Sequence, residues 1–377
     1  MSASFPIPVS VVTGFLGAGK TTLLNRLLKD PAMADTAVII NEFGDVAIDH
    51  LLVERASDGV IQLSDGCLCC TVRGELVDTL ADLVDRLQTG RIARLARVVI
   101  ETTGLADPAP VLQAIMGHPV LAQAFRLDGV VTLVDAVNGG RALDDHVEAV
   151  KQVAMADRIV LTKTDIEPAS AALIERLAAL NPRARLIAAS EPDALSASLL
   201  SCGLYDPATK TADVARWLGE EAGHAHHGHD HDHHHHAHGG GDGHHRHDSR
   251  IRALSLSHAG PLPHSAIETF LDILLSTQGD NLLRLKGIVE LAEDRSRPLV
   301  VHAVQRMLYP PARLAAWPDA RRGTRLVVIA IDVPEDYVRR LFAAATGRPA
   351  VDAPDRTALE ANPLAIAGFS GGAPRRS

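Results

Sequence analysis

Residues 14–21 read Gly14-Phe15-Leu16-Gly17-Ala18-Gly19-Lys20-Thr21, which fits the pattern G-x-x-x-x-G-K-[ST] without a mismatch. A β-branched run from Pro8 to Thr13 precedes this segment, and an amphipathic stretch from Thr21 to Lys29 follows it, so the pattern lies between a predicted strand and a predicted helix. Backbone N–H groups of such a loop surround phosphate oxygens, and the helix N-terminus favours negative charge. The segment therefore predicts a phosphate-binding loop rather than a glycine-rich turn that only begins a helix.

The loop supplies many of the contacts that a bound nucleotide needs. Lys20 is expected to neutralise the β- and γ-phosphates and to take part in catalysis, and the Thr21 hydroxyl is expected to bind Mg²⁺. The predicted nucleotide contacts in this part of the chain are Gly14, Gly17, Ala18, Gly19, Lys20, Thr21 and Thr22.

Apolar runs alternate with helical patterns through the first half of the chain. Amphipathic stretches such as Glu75 to Leu87 and Pro168 to Leu180 separate the runs that we expect to be strands, which are Ala37–Ile40, Val98–Ile100, Val130–Val134, Arg158–Leu161 and Arg185–Ala188. Continuous apolar strands that alternate with helices indicate a parallel sheet covered on both faces. We predict an α/β fold of the P-loop NTPase type, with a doubly wound, mostly parallel sheet.

The pattern changes after residue 250. Ile251 to Ser257 and Leu299 to Val304 alternate apolar and polar residues, Arg325 to Ile331 is a third expected strand, and helices are expected near 265–275 and 335–345. Alternation predicts a sheet with one solvent-exposed face, and hence a smaller α+β C-terminal domain. The predicted organisation is a P-loop domain at 1–200, a connecting segment at 201–223, a disordered histidine-rich metal-binding tract at 224–249, the α+β domain at 250–347 and a loose tail at 348–377.

The nucleotide base is expected to meet Thr162-Lys163-Thr164-Asp165, which directly follows an apolar run. The segment therefore lies at the carboxyl end of a strand, where ligands bind in open α/β sheets. Thr162, Lys163 and Asp165 are the predicted contacts. The Asp165 carboxylate can accept two hydrogen bonds from guanine, whereas adenine has no such donor pair and leaves the carboxylate unpaired. The segment resembles the N-K-x-D guanine signature with Thr162 in place of Asn, so GTP is favoured over ATP.

A second strand end carries Glu101-Thr102-Thr103-Gly104. The Glu101 carboxylate is predicted to hold Mg²⁺ through water or to orient the attacking water, and Gly104 is predicted to bring a backbone N–H to the γ-phosphate. A helix N-cap at Thr102 or Thr103 is the alternative reading. The sequence assigns no glutamine or arginine to the hydrolytic water, so slow turnover without a partner is expected.

Three of the four cysteines, Cys67, Cys69 and Cys70, lie within four positions. A helix follows them, and thiolates are favoured near a helix N-terminus. Three sulfurs can fill three tetrahedral Zn²⁺ positions and leave the fourth open for exchange. Three buried small hydrophobic residues are the alternative, and a core position is the favoured reading for Cys202. Because the triplet lies between Thr21 and Glu101 in the chain, its metal affinity is predicted to depend on the nucleotide state.

Thirteen of the nineteen histidines fall between His224 and His247. Glycines and aspartates are mixed among them, so this low-complexity tract cannot form a core. An expression tag is terminal and uninterrupted, whereas this tract is internal and mixed, so a tag is disfavoured. A metal reservoir is the favoured interpretation, with His226, His229, His231 and His233 as candidate ligands. Imidazoles bind Zn²⁺, Ni²⁺, Co²⁺ and Cu²⁺ alike, so the tract does not identify the metal.

The composition of the 377 residues excludes several classes of function. Forty-six acidic and 37 basic side chains give a formal charge of −9, which disfavours a nucleic-acid partner, and only 3% of residues are aromatic. No signal peptide or membrane span is apparent, and few, clustered cysteines suit a reducing compartment. A cytoplasmic protein without a nucleic-acid or membrane partner is expected.

The order of these motifs resembles that of the CobW-like GTPases, most of all their YjiA-type branch. The shared segments are 14–22, Asn41-Glu42-Phe43-Gly44-Asp45, Gly66-Cys67-Leu68-Cys69-Cys70, 101–108, Val134-Asp135-Ala136 and 162–165. This resemblance implies a P-loop GTPase domain, a CobW C-terminal domain, and metal binding through the Cys-x-Cys-Cys motif. It also implies that Asp45 stands where the family more often has Glu, that His118 can join a second metal site, and that Ile40 replaces a glutamate ligand. For His118, capping or packing is the alternative.

The leading hypothesis is a GTP-hydrolysing metallochaperone that binds GTP or GDP, Mg²⁺ and Zn²⁺, with Co²⁺ or Ni²⁺ as other metals, and delivers metal to a client metalloprotein. A cobalt-handling accessory in cobalamin biosynthesis is one alternative. A zinc storage or buffer protein, suggested by the clustered histidines, is another. The sequence does not decide whether the chain forms a homo-oligomer.

Overall fold

The first half of the chain forms a seven-stranded parallel sheet with the order β3-β2-β4-β1-β5-β6-β7. The computed structural model describes residues 6–41, 60–62, 71–202, 218 and 250–347. In chain order the elements are β1 (Ile7–Gly14), α1 (Lys20–Leu27), β2 (Thr36–Asn41), β3 (Val60–Gln62), α2 (Thr71–Gln88), β4 (Arg97–Thr102), α3 (Ala109–Gly117), α4 (Pro119–Ala124), β5 (Phe125–Asp135), α5 (Gly139–Asp145), α6 (Val147–Met155), β6 (Arg158–Thr162), α7 (Ala171–Leu180) and β7 (Arg185–Ala188).

Strands β1, β4 and β6 are buried along almost their whole lengths, as expected where helices cover both faces of a sheet. The predicted α/β class and all of the predicted strands of this domain are confirmed, whereas the short strand β3 was not predicted. Helix α7 starts at Ala171 rather than Pro168, since the Ser170 side chain caps it by accepting from the Leu173 N–H at 3.2 Å.

Four strands end at one edge of this sheet and carry the predicted site residues there. Strand β1 lies between β4 and β5, with Val12 beside Glu101 and Gly14 beside Leu133, and β5 pairs with β6 so that Asp135 lies beside Thr162. The parallel register therefore brings the phosphate loop and the ends of β4, β5 and β6 together.

The second half forms an antiparallel sheet with the order β11-β10-β9-β13-β8, and β12 pairs with β10. Its elements are β8 (Ile251–His258), α8 (His264–Gln278), β9 (Leu282–Val289), β10 (Leu299–Val304), β11 (Met307–Leu308), β12 (Ala312–Arg313), β13 (Thr324–Ile331) and α9 (Glu335–Ala345). The predicted α+β domain is confirmed. Strands β9, β11 and β12 were not predicted.

The prediction of one solvent-exposed face for this second sheet holds only at the edge strand β8, where Ser255 and Ser257 are exposed, and is wrong for the inner strands. All of β9 is buried, and so is β13 except for Ile331. One face packs against α8 and α9, where the rings of Phe270 and Phe342 meet edge to face at 5.4 Å. The other face contributes Ile288 and Val327 to the apolar core of the parallel-sheet domain. The sheet is thus covered by its own helices on one side and by the first domain on the other.

A polar cluster joins the two domains beside this shared core. Asp157 accepts from Arg284 Nη1 at 2.9 Å and from Lys286 Nζ, and Arg284 also donates to the Met155 carbonyl at 2.7 Å. Tyr309 adds hydrogen bonds to the carbonyls of Ala122 and Phe125. The contacts of Arg284 and Lys286 fix the antiparallel domain against the C-terminal end of α6 and the start of β6.

The predicted domain boundaries stay predictions, because most of the connecting segment, the histidine tract and the tail lie outside the described residues. Within the described ranges, no helix is both long enough and apolar enough to cross a bilayer.

Candidate nucleotide site

The phosphate loop has backbone geometry that requires glycine. Gly14 has φ +146°, and a Cβ there would lie 2.5 Å from the Leu133 carbonyl oxygen on the neighbouring strand. Gly19 has φ +89° and forms the left-handed N-cap of α1. Between them the Ala18 N–H donates to the Phe15 carbonyl at 3.1 Å. The loop therefore turns tightly from β1 into the N-terminus of α1, as the sequence predicted.

Lys20, Thr21 and Glu101 lie together at the end of this loop. The Lys20 ammonium donates to the carbonyls of Gly14 at 3.0 Å and Phe15 at 3.4 Å, so it arches over the loop. The Thr21 hydroxyl donates to Glu101 Oε1 at 2.9 Å, which joins α1 to the end of β4. Glu101 is buried, and Thr22 is exposed in the first turn of α1. A hydroxyl beside a carboxylate is the hard-oxygen donor set that suits Mg²⁺.

The segment 162–165 is tied to the phosphate loop through Thr162. Its buried hydroxyl donates to the Ala18 carbonyl at 2.8 Å and lies 3.3 Å from the Val134 carbonyl. The threonine that replaces the asparagine of the guanine signature thus connects β6 to the phosphate loop. Asp165 is exposed in the turn that follows. The segment accordingly has an anchored start and a carboxylate that is accessible to a ligand.

Lys163 is held by Asp135, a contact that the sequence did not predict. Lys163 adopts the left-handed conformation with φ +57°, and its ammonium lies 2.6 Å from Asp135 Oδ2. Burial raises the pKa of Asp135, but hydrogen bonds from Lys163, Asn138 and the Val137 N–H outweigh burial and lower it. Asp135 is therefore ionised and fixes the lysine stem. In the sequence, this role of Asp135 is indicated only by the position of its carboxylate at the end of an apolar strand.

Gly104 lies against the phosphate loop. A Cβ on Gly104 would be 2.6 Å from the Leu16 backbone nitrogen, so only glycine allows this approach. The alternative of a helix N-cap at Thr102 or Thr103 is wrong, because α3 begins at Ala109, where the Asp107 side chain accepts from the Ala109 N–H at 2.9 Å. The turn after β4 is therefore free to lie over the loop rather than to start a helix.

Comparison with known proteins agrees with this geometry. Residues 8–188 match the model of the CobW/HypB/UreG nucleotide-binding domain, and residues 251–346 match the cobalamin synthesis protein cobW C-terminal domain. The zinc chaperone YjiA of Escherichia coli (strain K12) is 35% identical over 341 residues, which cover 90% of this chain and 98% of that protein. The chain belongs to the CobW family.

Two further comparisons agree with membership of the CobW family. The zinc chaperone CobW of a Sinorhizobium species is 33% identical over 376 residues and covers 90% of this chain and 97% of its own length. The crystal structure of Zn(II)-bound YjiA GTPase from E. coli aligns with a TM-score of 0.62 at 32% identity, over 90% of this chain and 99% of that one. The predicted resemblance, fold class and GTPase class are confirmed.

Most of the predicted metal ligands lie outside the described residues. These are Cys67, Cys69, Cys70, Asp45, His226, His229, His231 and His233. Among the residues that the structure describes, no three His, Cys, Asp or Glu side chains gather as a possible metal site.

Three described residues bear on the metal predictions. His118 joins α3 to α4, and its Nδ1 is buried without a hydrogen bond to the described part of the chain, so its ligand role stays a prediction. Ile40 is buried in β2. Cys202 is a core residue, as predicted, and burial raises the pKa of its thiol to about 12.

Proposed function

We propose that this chain uses GTP binding and hydrolysis to control the delivery of Zn²⁺ to a client protein. The relatives named above are zinc chaperones, and one was crystallised with Zn(II) bound. The observation that carries the proposal is the contact of Thr21 with Glu101 and of Leu16 with Gly104. Together these contacts join the phosphate loop to the turn after β4, which is where a γ-phosphate would be sensed.

Hydrolysis transfers the γ-phosphoryl group to water, so that the bond to the bridging β–γ oxygen breaks and GDP and phosphate leave. Lys20 supplies positive charge to the β- and γ-phosphates, and Gly104 offers its N–H to the γ-phosphate. Glu101 orients the attacking water or the hydration shell of the metal. Thr21 and Glu101 would hold Mg²⁺, which supplies further positive charge beside the phosphates.

Guanine selectivity is assigned to Asp165. Its exposed carboxylate follows Thr162 and Lys163, both of which are anchored by neighbouring strands. Two hydrogen bonds from the guanine N1–H and 2-amino group would satisfy this carboxylate, whereas adenine offers no such pair.

Zinc binding is assigned to the thiolates of Cys67, Cys69 and Cys70, with the fourth position left open for exchange. Residues 63–70 connect the end of β3 to the start of α2, and β3 ends at the same edge of the parallel sheet as Glu101. The cysteine segment thus begins level with Glu101 at this edge, with β2 between β3 and β4, which supports coupling through the sheet. Asp45 and His118 are secondary candidates, and His226, His229, His231 and His233 would serve as a reservoir. Co²⁺ and Ni²⁺ are the competing metals, and the proposed location is the cytoplasm.

The test is a zinc titration with a competing chelator, in GDP and then in a non-hydrolysable GTP analogue. Changing Cys67, Cys69 and Cys70 to Ser should remove the tight site without loss of GTP binding, and the matched control Cys202→Ala should retain it, since Cys202 is a core residue. The zinc Kd of the unaltered protein should differ by at least about tenfold between the two nucleotides, a coupling of ordinary size. Retention of the site in the triple variant would refute the ligand assignment.

The same titration separates the two competing functions. A zinc buffer, favoured by the thirteen clustered histidines, predicts that deletion of 225–247 abolishes zinc loading and that Lys20→Ala has no effect on delivery. A cobalt-handling protein predicts that only the Co²⁺ affinity responds to the nucleotide.

A further inference from the structure

Gln152 on α6 is a buried glutamine whose side-chain amide contacts the turn after β4. Its Nε2 donates to the carbonyls of Gly104 at 3.1 Å and Ala106 at 2.9 Å, and the residue is 1% exposed. The Ala106 N–H donates in turn to the Thr103 carbonyl at 3.1 Å, which closes the turn. Both donor hydrogens of one side chain are thus used on the backbone of a single turn.

The orientation of this amide is fixed by its partners. Rotating it by half a turn would place Oε1 against two carbonyl oxygens, which cannot donate. In the observed orientation Oε1 is buried and makes no hydrogen bond to the described residues.

The turn that Gln152 holds is the one that lies against the phosphate loop. Gly104 is so close to Leu16 that there is no space for a Cβ between them. A second side chain of α6 reinforces the contact, since Lys151 Nζ lies 2.9 Å from Asp107 Oδ2. A movement of the Gly104 carbonyl would therefore displace the turn relative to the phosphates.

Helix α6 is itself held in place at its last turn, which contains Gln152. The Asn181 side-chain amide donates to the carbonyls of Val153, Ala154 and Ala156 at 2.8–3.1 Å. Arg284 of the second domain donates to the Met155 carbonyl. Because the last turn of the helix is fixed in this way, the reach of the Gln152 side chain sets the position of the turn.

We infer that Gln152 is a positioning residue for GTP hydrolysis, acting through Gly104 and making no contact with the nucleotide. The inference rests on the role proposed for Gly104. Loss of the two amide donors lets the turn relax away from the γ-phosphate. The transition state then loses more stabilisation than the bound GTP does, so kcat falls.

The experiment compares Gln152→Met with Gln113→Met in the full-length chain. Both substitutions replace an amide by a side chain of similar length, but Gln113 on α3 donates to Gln305 at the domain contact instead. Gln152→Met should lower kcat at least about tenfold and leave KM for GTP and Kd for GDP within about twofold, the pattern of an interaction made only in the transition state. Gln113→Met should leave all three constants unchanged.

Two further measurements keep the test decisive. If Gln152→Met does not fold, Gln152→Glu takes its place, since its carboxylate would face the same two carbonyl oxygens and should also lower kcat. Hydrogen exchange of the amides of residues 104–106, in the presence of a non-hydrolysable GTP analogue, should be faster in the Gln152 variant than in the unaltered protein.

A kcat for the Gln152 variant within about twofold of the unaltered protein would overturn the inference, because an effect of that size needs no lost interaction. The variant Gly104→Ala then distinguishes an error in the inference about Gln152 from an error in the role proposed for Gly104. If Gly104→Ala lowers kcat and Gln152→Met does not, only the positioning role is wrong. If neither does, the role proposed for Gly104 fails as well.

Discussion

Replacing Asp157 by Asn should destabilise the chain through the contact between its two domains. The Asp157 carboxylate has almost no exposed surface and lies beside the cationic groups of Arg284 and Lys286, while its Oδ2 accepts from the Val130 N–H at 2.8 Å. Burial raises the pKa of Asp157, but the two cations outweigh burial and lower it to about 2. Asn keeps the shape of the side chain and removes the negative charge that both cations share.

Two estimates of the effect can be made from the structure. Lowering the pKa from 3.8 to about 2 corresponds to about 2–3 kcal/mol at roughly 1.4 kcal/mol per unit. Removing one member of a buried ion pair costs about 3–5 kcal/mol, because it also leaves buried cations without the compensating charge. The two estimates agree best near 3 kcal/mol, so we expect Asp157→Asn to lower the free energy of unfolding by about 3 kcal/mol.

Urea unfolding followed by far-UV circular dichroism measures this loss. Asp193→Asn is the matched control, since Asp193 pairs with Arg185 at 2.7 Å but both side chains are about half exposed, and such pairs contribute less than about 1 kcal/mol. Adding Lys286→Met to Asp157→Asn should recover part of the loss, because it removes one of the two buried charges. If Asp157→Asn is no more destabilising than Asp193→Asn, the charge cluster does not hold the domains together and the reasoning is wrong.

Three other outcomes are expected. Thr162→Val should weaken GTP and GDP binding about tenfold in a fluorescent-nucleotide titration, because the Ala18 carbonyl loses its donor; unchanged affinity would contradict this. Gly104→Ala should lower kcat about 100-fold in a phosphate-release assay, since the new Cβ would press on Leu16 and displace the turn; full activity would contradict the close contact. The pKa of Asp157 in the folded chain, about 2, lies below its ordinary value of 3.8, so its contribution to stability is present above about pH 4 and is lost as the pH falls towards 2. The urea midpoint should therefore fall across that window in the unaltered protein and much less in Asp157→Asn.

The strands of the parallel sheet could be predicted because each is an apolar run between clear helical patterns. Strand β9 was not predicted, since the alternation from Leu283 to Lys286 is only four residues long, and Arg284, Lys286 and Gly287 interrupt any continuous apolar run. These two charges are buried only because Asp157, on the other domain, faces them. The charged residues within β9 are thus explained by the contact between the domains, and the sequence around β9 gives no information about that contact.

The same limit applies to the nucleotide site. The sequence could predict Lys20, Thr21 and Glu101 as site residues because their chemistry is local to a loop or a strand end. It could not predict that the Thr162 hydroxyl donates to the Ala18 carbonyl, because that contact joins residues far apart in the chain. Gln152 lies in a helix whose other buried positions are mostly apolar, so its pattern is that of a core helix and nothing nearby marks its contact with Gly104.

Strand β6 connects the domain contact to the nucleotide site. Asp157 immediately precedes it, and Thr162 ends it at the phosphate loop, a span of about 16 Å at the usual rise per residue. Helix α6 has a similar arrangement, with Gln152 bound to the turn after β4 and Met155 bound to Arg284. A nucleotide domain produced alone would lose the partners of Asp157 and Met155 and expose the apolar surface that Ile288 and Val327 cover. The second domain is therefore part of what holds α6 and β6 in place, and through Gln152 on α6 the turn after β4.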